Sequence, residues 1–227
     1  MHPLCWSSGV ELLAPGSWTL TVLSHIPCTV LAHATPDALL ADAVDAALVG
    51  LALGDEIVLV GSSTGGALNF LLASSSAQGL GVRQRIAAVV GISSAFRIRV
   101  PCSDFLGSFF SWCAHVLPSW LGGGHAGVVA TLVIEALNGG KMRQLAARNA
   151  LHPTASTLRY PAAAVLHCLA VIWEARMTNP AAVACPVLFV GSPEDGTISW
   201  GFTKEDRFPR LANASPKALH EVKRAQD

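Results

Sequence analysis

The stretch "IVLVGSSTGGALNF", residues 57 to 70, constrains this chain more than any other. An apolar run ends in glycine, two serines, threonine and two glycines, and at once turns apolar again. Apolar neighbours on both sides do not suit an open surface loop. The polar hinge belongs between a buried strand and a buried helix, where small side chains let backbones approach closely. In a parallel sheet such a strand-to-helix turn lies at the carboxyl edge, which is where sites form.

Three chemistries use a junction of this kind. A phosphate loop needs a lysine after its last glycine, and none follows here. A dinucleotide fingerprint needs G-x-G-x-x-G, a spacing that Gly61, Gly65 and Gly66 do not meet. The third is G-x-S-x-G, and Gly61-Ser62-Ser63-Thr64-Gly65 matches it. Glycines two positions either side of the serine clear space for a strained turn that lifts the hydroxyl off the sheet. Ser63 is therefore the candidate nucleophile. The N–H of Thr64, at a helix start, is the candidate oxyanion donor. A tight turn with idle serines and a cofactor-binding junction remain the competing readings of the motif.

The flanking pattern predicts alternating strands and helices. "SWTLTVLSHIPCTVLAHATP" (17 to 36) reads as one or two strands. "TPDALLADAVDAALVGLALG" reads as a helix capped by Thr35, with Pro36 in its first turn and Gly54 at its end. "DEIVLVG" and "RIAAVVGISSAF" read as buried strands with a helix between them, and "CPVLFVGSPEDG" resumes the strand pattern. Between residues 97 and 178 the alternation stops, and the chain reads as mainly helical. The expected fold is α/β, a mostly parallel central sheet with flanking helices, as one domain over 1–227 with 97–178 as a helical cap insertion.

Fifteen basic and fifteen acidic residues cancel, so bulk charge draws the chain to neither nucleic acid nor an anionic membrane. Charged residues make up only 13%, against roughly a quarter in an average domain. The six cysteines form no C-x-x-C pair, which argues against a zinc ribbon or a disulfide scaffold. The N-terminus shows no basic segment leading into an apolar one, so the expected location is cytoplasmic. Phe105 to Ile134 carries no Lys, Arg, Asp or Glu. "PSWLGGGHAG" interrupts it, which predicts two short apolar helices whose contact with a membrane is weak.

A nucleophilic serine needs a histidine base, and the base needs an orienting carboxylate. "PVLFVGSPEDG" puts Glu194 and Asp195 in the turn after a late strand, and Asp195, beside Gly196, is the preferred acid. With these residues together the chain resembles the α/β-hydrolase superfamily, and most of all its branch of monoacylglycerol lipases, lysophospholipases and carboxylesterases. The resemblance rests on "IVLVGSSTGGALNFLLA", on "RIAAVVGISSAF" and on "YPAAAVLHCLAVIWEARMTNPAAVACPVLFVGSPEDGTISW", and it covers about residues 37 to 211.

Two departures stand out. The family's first loop carries His-Gly and supplies a second oxyanion N–H, whereas "VLSHIP" has Ile26 after His25. The family's histidine follows the last strand. His220 lies 25 residues after Asp195, inside "SPKALHEVKRAQD", which reads as a helix started by Ser215 and Pro216. The base is thus His220, another histidine of the chain or a residue beyond Asp227, and the helix reading of this segment predicts that His220 lies far from Ser63. The resemblance implies a serine hydrolase acting on small acyl or lipid-like esters, with Ser63, Asp195 and His220 as the catalytic set and neither metal nor organic cofactor. The rival expectation is a hydrolase-like binding module without turnover.

Overall fold

The computed structural model describes residues 10–14, 18–21, 35–74, 81–99, 104–105, 108–109, 142–144 and 159–223. Its centre is a six-stranded sheet. Strands β1 (Val10–Ala14) and β2 (Trp18–Thr21) form an antiparallel edge, and β1 also runs antiparallel to β3 (Ile57–Ser62). From β3 the sheet continues in parallel through β4 (Ile86–Ile92), β7 (Val187–Gly191) and β8 (Lys217–Glu221). A separate antiparallel pair joins β5 (Met142–Gln144) to β6 (Arg159–Pro161). Helices α1 (Pro36–Leu53) and α2 (Thr64–Ser74) pack on the sheet, and α3 (Ala162–Met177) packs on both of them.

Helix α1 begins where its sequence says it should. The Thr35 hydroxyl accepts the Ala38 N–H at 3.2 Å, Pro36 occupies the first turn, and Gly54 ends it. Helix α2 is buried at every residue from Thr64 to Ser74, the state expected of a helix apolar all round. It lies against β3 and β4 on one side and against α1 and α3 on others.

The sheet has two unlike faces. On the inner face Leu59, Val89 and Val187 align across three strands, and Gly61, Gly91, Phe189 and Leu219 align across four. Phe96 meets Phe70 and Phe189 edge-on, with ring centroids 5.0 and 5.5 Å away, a favoured aromatic arrangement. The outer row at the carboxyl edge reads Ser62, Ile92, Val190, His220. Ser62, Ile92 and His220 are exposed.

Three segments depart from the sequence reading. Strand β1 was not expected from "VELLA", and it pairs with both β2 and β3. Residues 217–221 form a strand and not a helix. Ser215 and Pro216 do carry helix-start chemistry, but the open edge of β7 offers a ladder that an isolated segment lacks, and all five residues take it. Third, the strands β5 and β6 lie inside the stretch expected to be mainly helical. The interrupted apolar run at 105–134 falls almost wholly outside the described residues, as does His25. Among the described residues, no helix is long and apolar enough to cross a membrane.

Candidate active site

Strand β3 ends at Ser62, helix α2 begins at Thr64, and Ser63 alone makes the turn. It does so with φ at 54°. Left-handed backbone is uncommon outside glycine and persists only where the surroundings over-determine it. Here they do. The Ser63 N–H donates to Ile92 at 3.0 Å, extending the sheet ladder by one residue. Its carbonyl accepts from Gly66, Ala67 and Ala95 at 3.1, 3.4 and 3.0 Å. Gly61 is needed for the approach of α2, because a Cβ there would lie 2.5 Å from both the Gly65 carbonyl and the Asn69 amide nitrogen. Ser63 itself is half-buried.

Thr64 is the first residue of α2 and is buried. The first N–H groups of a helix have no carbonyl within it to serve, so they are available to an anion. The Thr64 hydroxyl hydrogen-bonds the Cys168 thiol of α3. Burial pushes that thiol up, and the Thr64 bond opposes the shift.

Asp195 sits in the turn after β7, and its Oδ1 accepts the Thr197 and Ile198 N–H groups at 2.8 and 2.9 Å. Two backbone donors on one oxygen fix the orientation of the carboxylate. The turn is also zipped to the chain leaving β4. Ile198 bridges Ile98, Arg99 N–H donates to Thr197 at 2.9 Å, and Ser199 N–H donates to Arg97 at 2.8 Å. Glu194, the competing acid, is exposed.

His220 is placed differently from the other three. By register it shares a row with Ser62, and β4 and β7 lie between them. Three strand spacings of roughly 4.8 Å separate the two by about 14 Å. Its side chain is exposed on the face opposite Leu219, which packs on the core. Nothing in this register brings its imidazole to Ser63.

Several residues at this edge were not singled out from sequence. Ser93, the residue after β4, has φ at 44°, a second left-handed serine beside the first. The signal was present, since "GSS" after β3 is echoed by "ISS" after β4. The Trp200 indole covers Gly191 and donates to the Glu221 carboxylate at 3.0 Å, with Lys204 at 3.4 Å on the same oxygen. Next to the Asp195 turn a small cleft is walled by Phe96, Ile98, Leu169, Ile172 and Trp173, with Asp104 and Arg176 at its polar side.

No protein-family model matches the chain, and no curated protein sequence matches it. Solved structures do resemble it. One, from work on the metagenome-derived lipolytic enzymes LipS and LipT, superposes with a TM-score of 0.61 at 19% identity, covering 88% of this chain and 68% of that one. A monoacylglycerol lipase from Paleococcus ferrophilus gives 0.53 at 16% identity, covering 83% of this chain and 65% of that one. The chain thus spans about two thirds of either structure, and identity this low speaks for a shared fold.

Proposed function

We propose, with the α/β-hydrolase fold of this chain as the premise, that it is a serine hydrolase of carboxylic esters with Ser63 as nucleophile. The observation that carries the reading is Ser63 held at φ 54° between β3 and α2 inside Gly-x-Ser-x-Gly. That conformation is what a nucleophile elbow requires, because it turns a hydroxyl away from the strand and toward the carboxyl edge.

In this mechanism the Ser63 Oγ attacks the acyl carbonyl while a histidine takes its proton. The Thr64 N–H donates to the oxyanion, and Asp195 orients the histidine and stabilises its charged form. Collapse expels the alcohol, and water releases the acid from Ser63. The lipolytic structures that resemble the chain support an acyl or lipid-like ester. Residues 97–178 would serve as the cap over this site, with any membrane contact made there. A fluorophosphonate probe should label the wild type and not Ser63→Ala; equal labelling of the two removes the assignment.

A second reading is favoured by the placement of His220, about 14 Å from Ser62 by strand spacing. On that reading the chain is a hydrolase-like module that binds an acyl compound without turning it over. Hydrolysis of p-nitrophenyl acyl esters, lost in both Ser63→Ala and Asp195→Asn, decides for the enzyme. Absence of hydrolysis in the wild type decides for the module.

A further inference from the structure

Two buried polar side chains lie directly beneath the Ser63 turn with no hydrogen-bond partner. Asn69 on α2 is fully buried, and neither its Nδ2 nor its Oδ1 is bonded; Ser94 is 2% exposed, and its Oγ is likewise unbonded. Groups of this kind are costly to leave unsatisfied, so their presence calls for a physical reason.

Their positions are related. The Asn69 Nδ2 stands over Gly61, and the Ser94 Oγ stands over Gly91 and against Gly66. Gly61 and Gly91 are register partners on β3 and β4, which puts them about 4.8 Å apart. The two polar groups therefore occupy neighbouring cells of one layer, between a glycine pair in the sheet and the glycines 65 and 66 that open α2. A single water at about 2.8 Å from each would satisfy both groups.

The chain spends strain to reach this arrangement. Ser93 takes φ 44° immediately before Ser94, and the following residue, Ala95, donates its N–H to the Ser63 carbonyl at 3.0 Å. One bend of β4 thus delivers the Ser94 hydroxyl into the glycine layer and a backbone donor onto the Ser63 turn. Strain of this kind is held in place by its surroundings and clusters at functional sites.

We infer that Asn69 and Ser94 hold one internal water beneath the Ser63 turn, and that Asn69 is a positioning residue for Ser63. The second part rests on Ser63 being the nucleophile; the first does not. Asn69→Leu and Ser94→Ala separate positioning from mere filling. A purely structural role predicts that Asn69→Leu, by removing an unsatisfied amide for an apolar group of similar size, leaves Tm unchanged or raised and leaves reactivity alone. Positioning predicts the same Tm with fluorophosphonate labelling of Ser63 slowed roughly tenfold. Ser94→Ala, which only deletes an oxygen, should slow labelling as well and covers the case in which Asn69→Leu does not fold.

A high-resolution crystal structure of the wild type should hold one ordered water within about 3.2 Å of both side chains. Loss of that water in either variant supports the site. A wild type with no water there, or with Asn69 bonded directly to Ser94, overturns it. Labelling at the wild-type rate in both variants overturns the positioning role while leaving Ser63 as nucleophile. Failure of the wild type to label at Ser63 instead sinks the hydrolase reading, and the positioning role with it.

Discussion

At Gly91 strand β4 meets the Ser94 and Phe189 side chains with no room for a Cβ. A Cβ there would lie 2.8 Å from Phe189 Cδ1 and closer still to the Ser94 Oγ. Phe189 is wedged against Phe96, so it has little room to withdraw. Overpacking of this sort costs typically about 1–3 kcal/mol. Gly91→Ala should therefore lower the unfolding free energy by that amount, seen as a lower urea midpoint with an unchanged slope, and an unmoved midpoint would show that the layer can relax. At this scale the sequence was partly legible. The glycines of G-x-S-x-G announced a close approach, and Ser63, Thr64 and Asp195 could be named because each stands in a motif. Gly91 and Ser94 stand in no motif, and their partners come from strands and helices distant along the chain.

At the scale of elements, Arg207 shows how the end of α3 is fixed. The residue is 1% exposed, and the neighbouring Asp206 carboxylate pairs with Arg210. Arg207 donates to the Arg176 carbonyl at 2.6 Å, to Ala175 at 2.8 Å and to Thr178 at 2.7 Å, all at the C-terminus of α3. These are the carbonyls a helix cannot satisfy for itself, and they carry the negative end of its dipole. The rings of Phe70 and Phe96 stand 5.1 and 5.4 Å from the guanidinium carbon. Burial pushes the group down to about 10, which leaves it charged at neutral pH. Arg207→Leu should lower stability by about 3 kcal/mol or more, since three carbonyls lose a charged donor. Arg207→Lys should recover only part, because an ammonium lacks the planar fork. A Tm equal to wild type in Arg207→Leu would sink this account. In the sequence, "TKEDRFPR" carries five charges, and nothing local marks which of them is buried.

For the whole molecule, the attachment of β8 decides whether the parallel sheet has three strands or four. Besides its ladder to β7, β8 is tied through Glu221 to Trp200 and Lys204, and through the Lys217 ammonium to the carbonyls of Phe208, Pro209 and Leu211. The Trp200 indole, and after it Lys204, hold the Glu221 carboxyl below its ordinary value of 4.5. A lowered carboxylate contributes stability that is complete above its ordinary value and is lost as pH falls through its lowered one. Wild type should therefore lose Tm more steeply than Glu221→Gln on acidification below pH 4.5. Parallel curves for the two proteins would show that the Trp200 bond does not persist in solution.

What the sequence determined by itself is the alternation of the parallel core and the turn that carries Ser63. Those features are written in local chemistry: β3, β4 and β7 as short apolar runs, α1 by its Thr35 cap and Pro36, and the turn by its glycines. Tertiary structure alone decided the rest. Residues 217–221 became a strand because β7 offered them an edge, and the same ladder set His220 three strands from Ser62. A segment's helix-start signals are worth about a kilocalorie each, and a run of ladder bonds together with the burial of Leu219 outweighs them. The layer of Asn69, Ser94 and four glycines was set in the same way, by contacts between segments that carry no mark of one another.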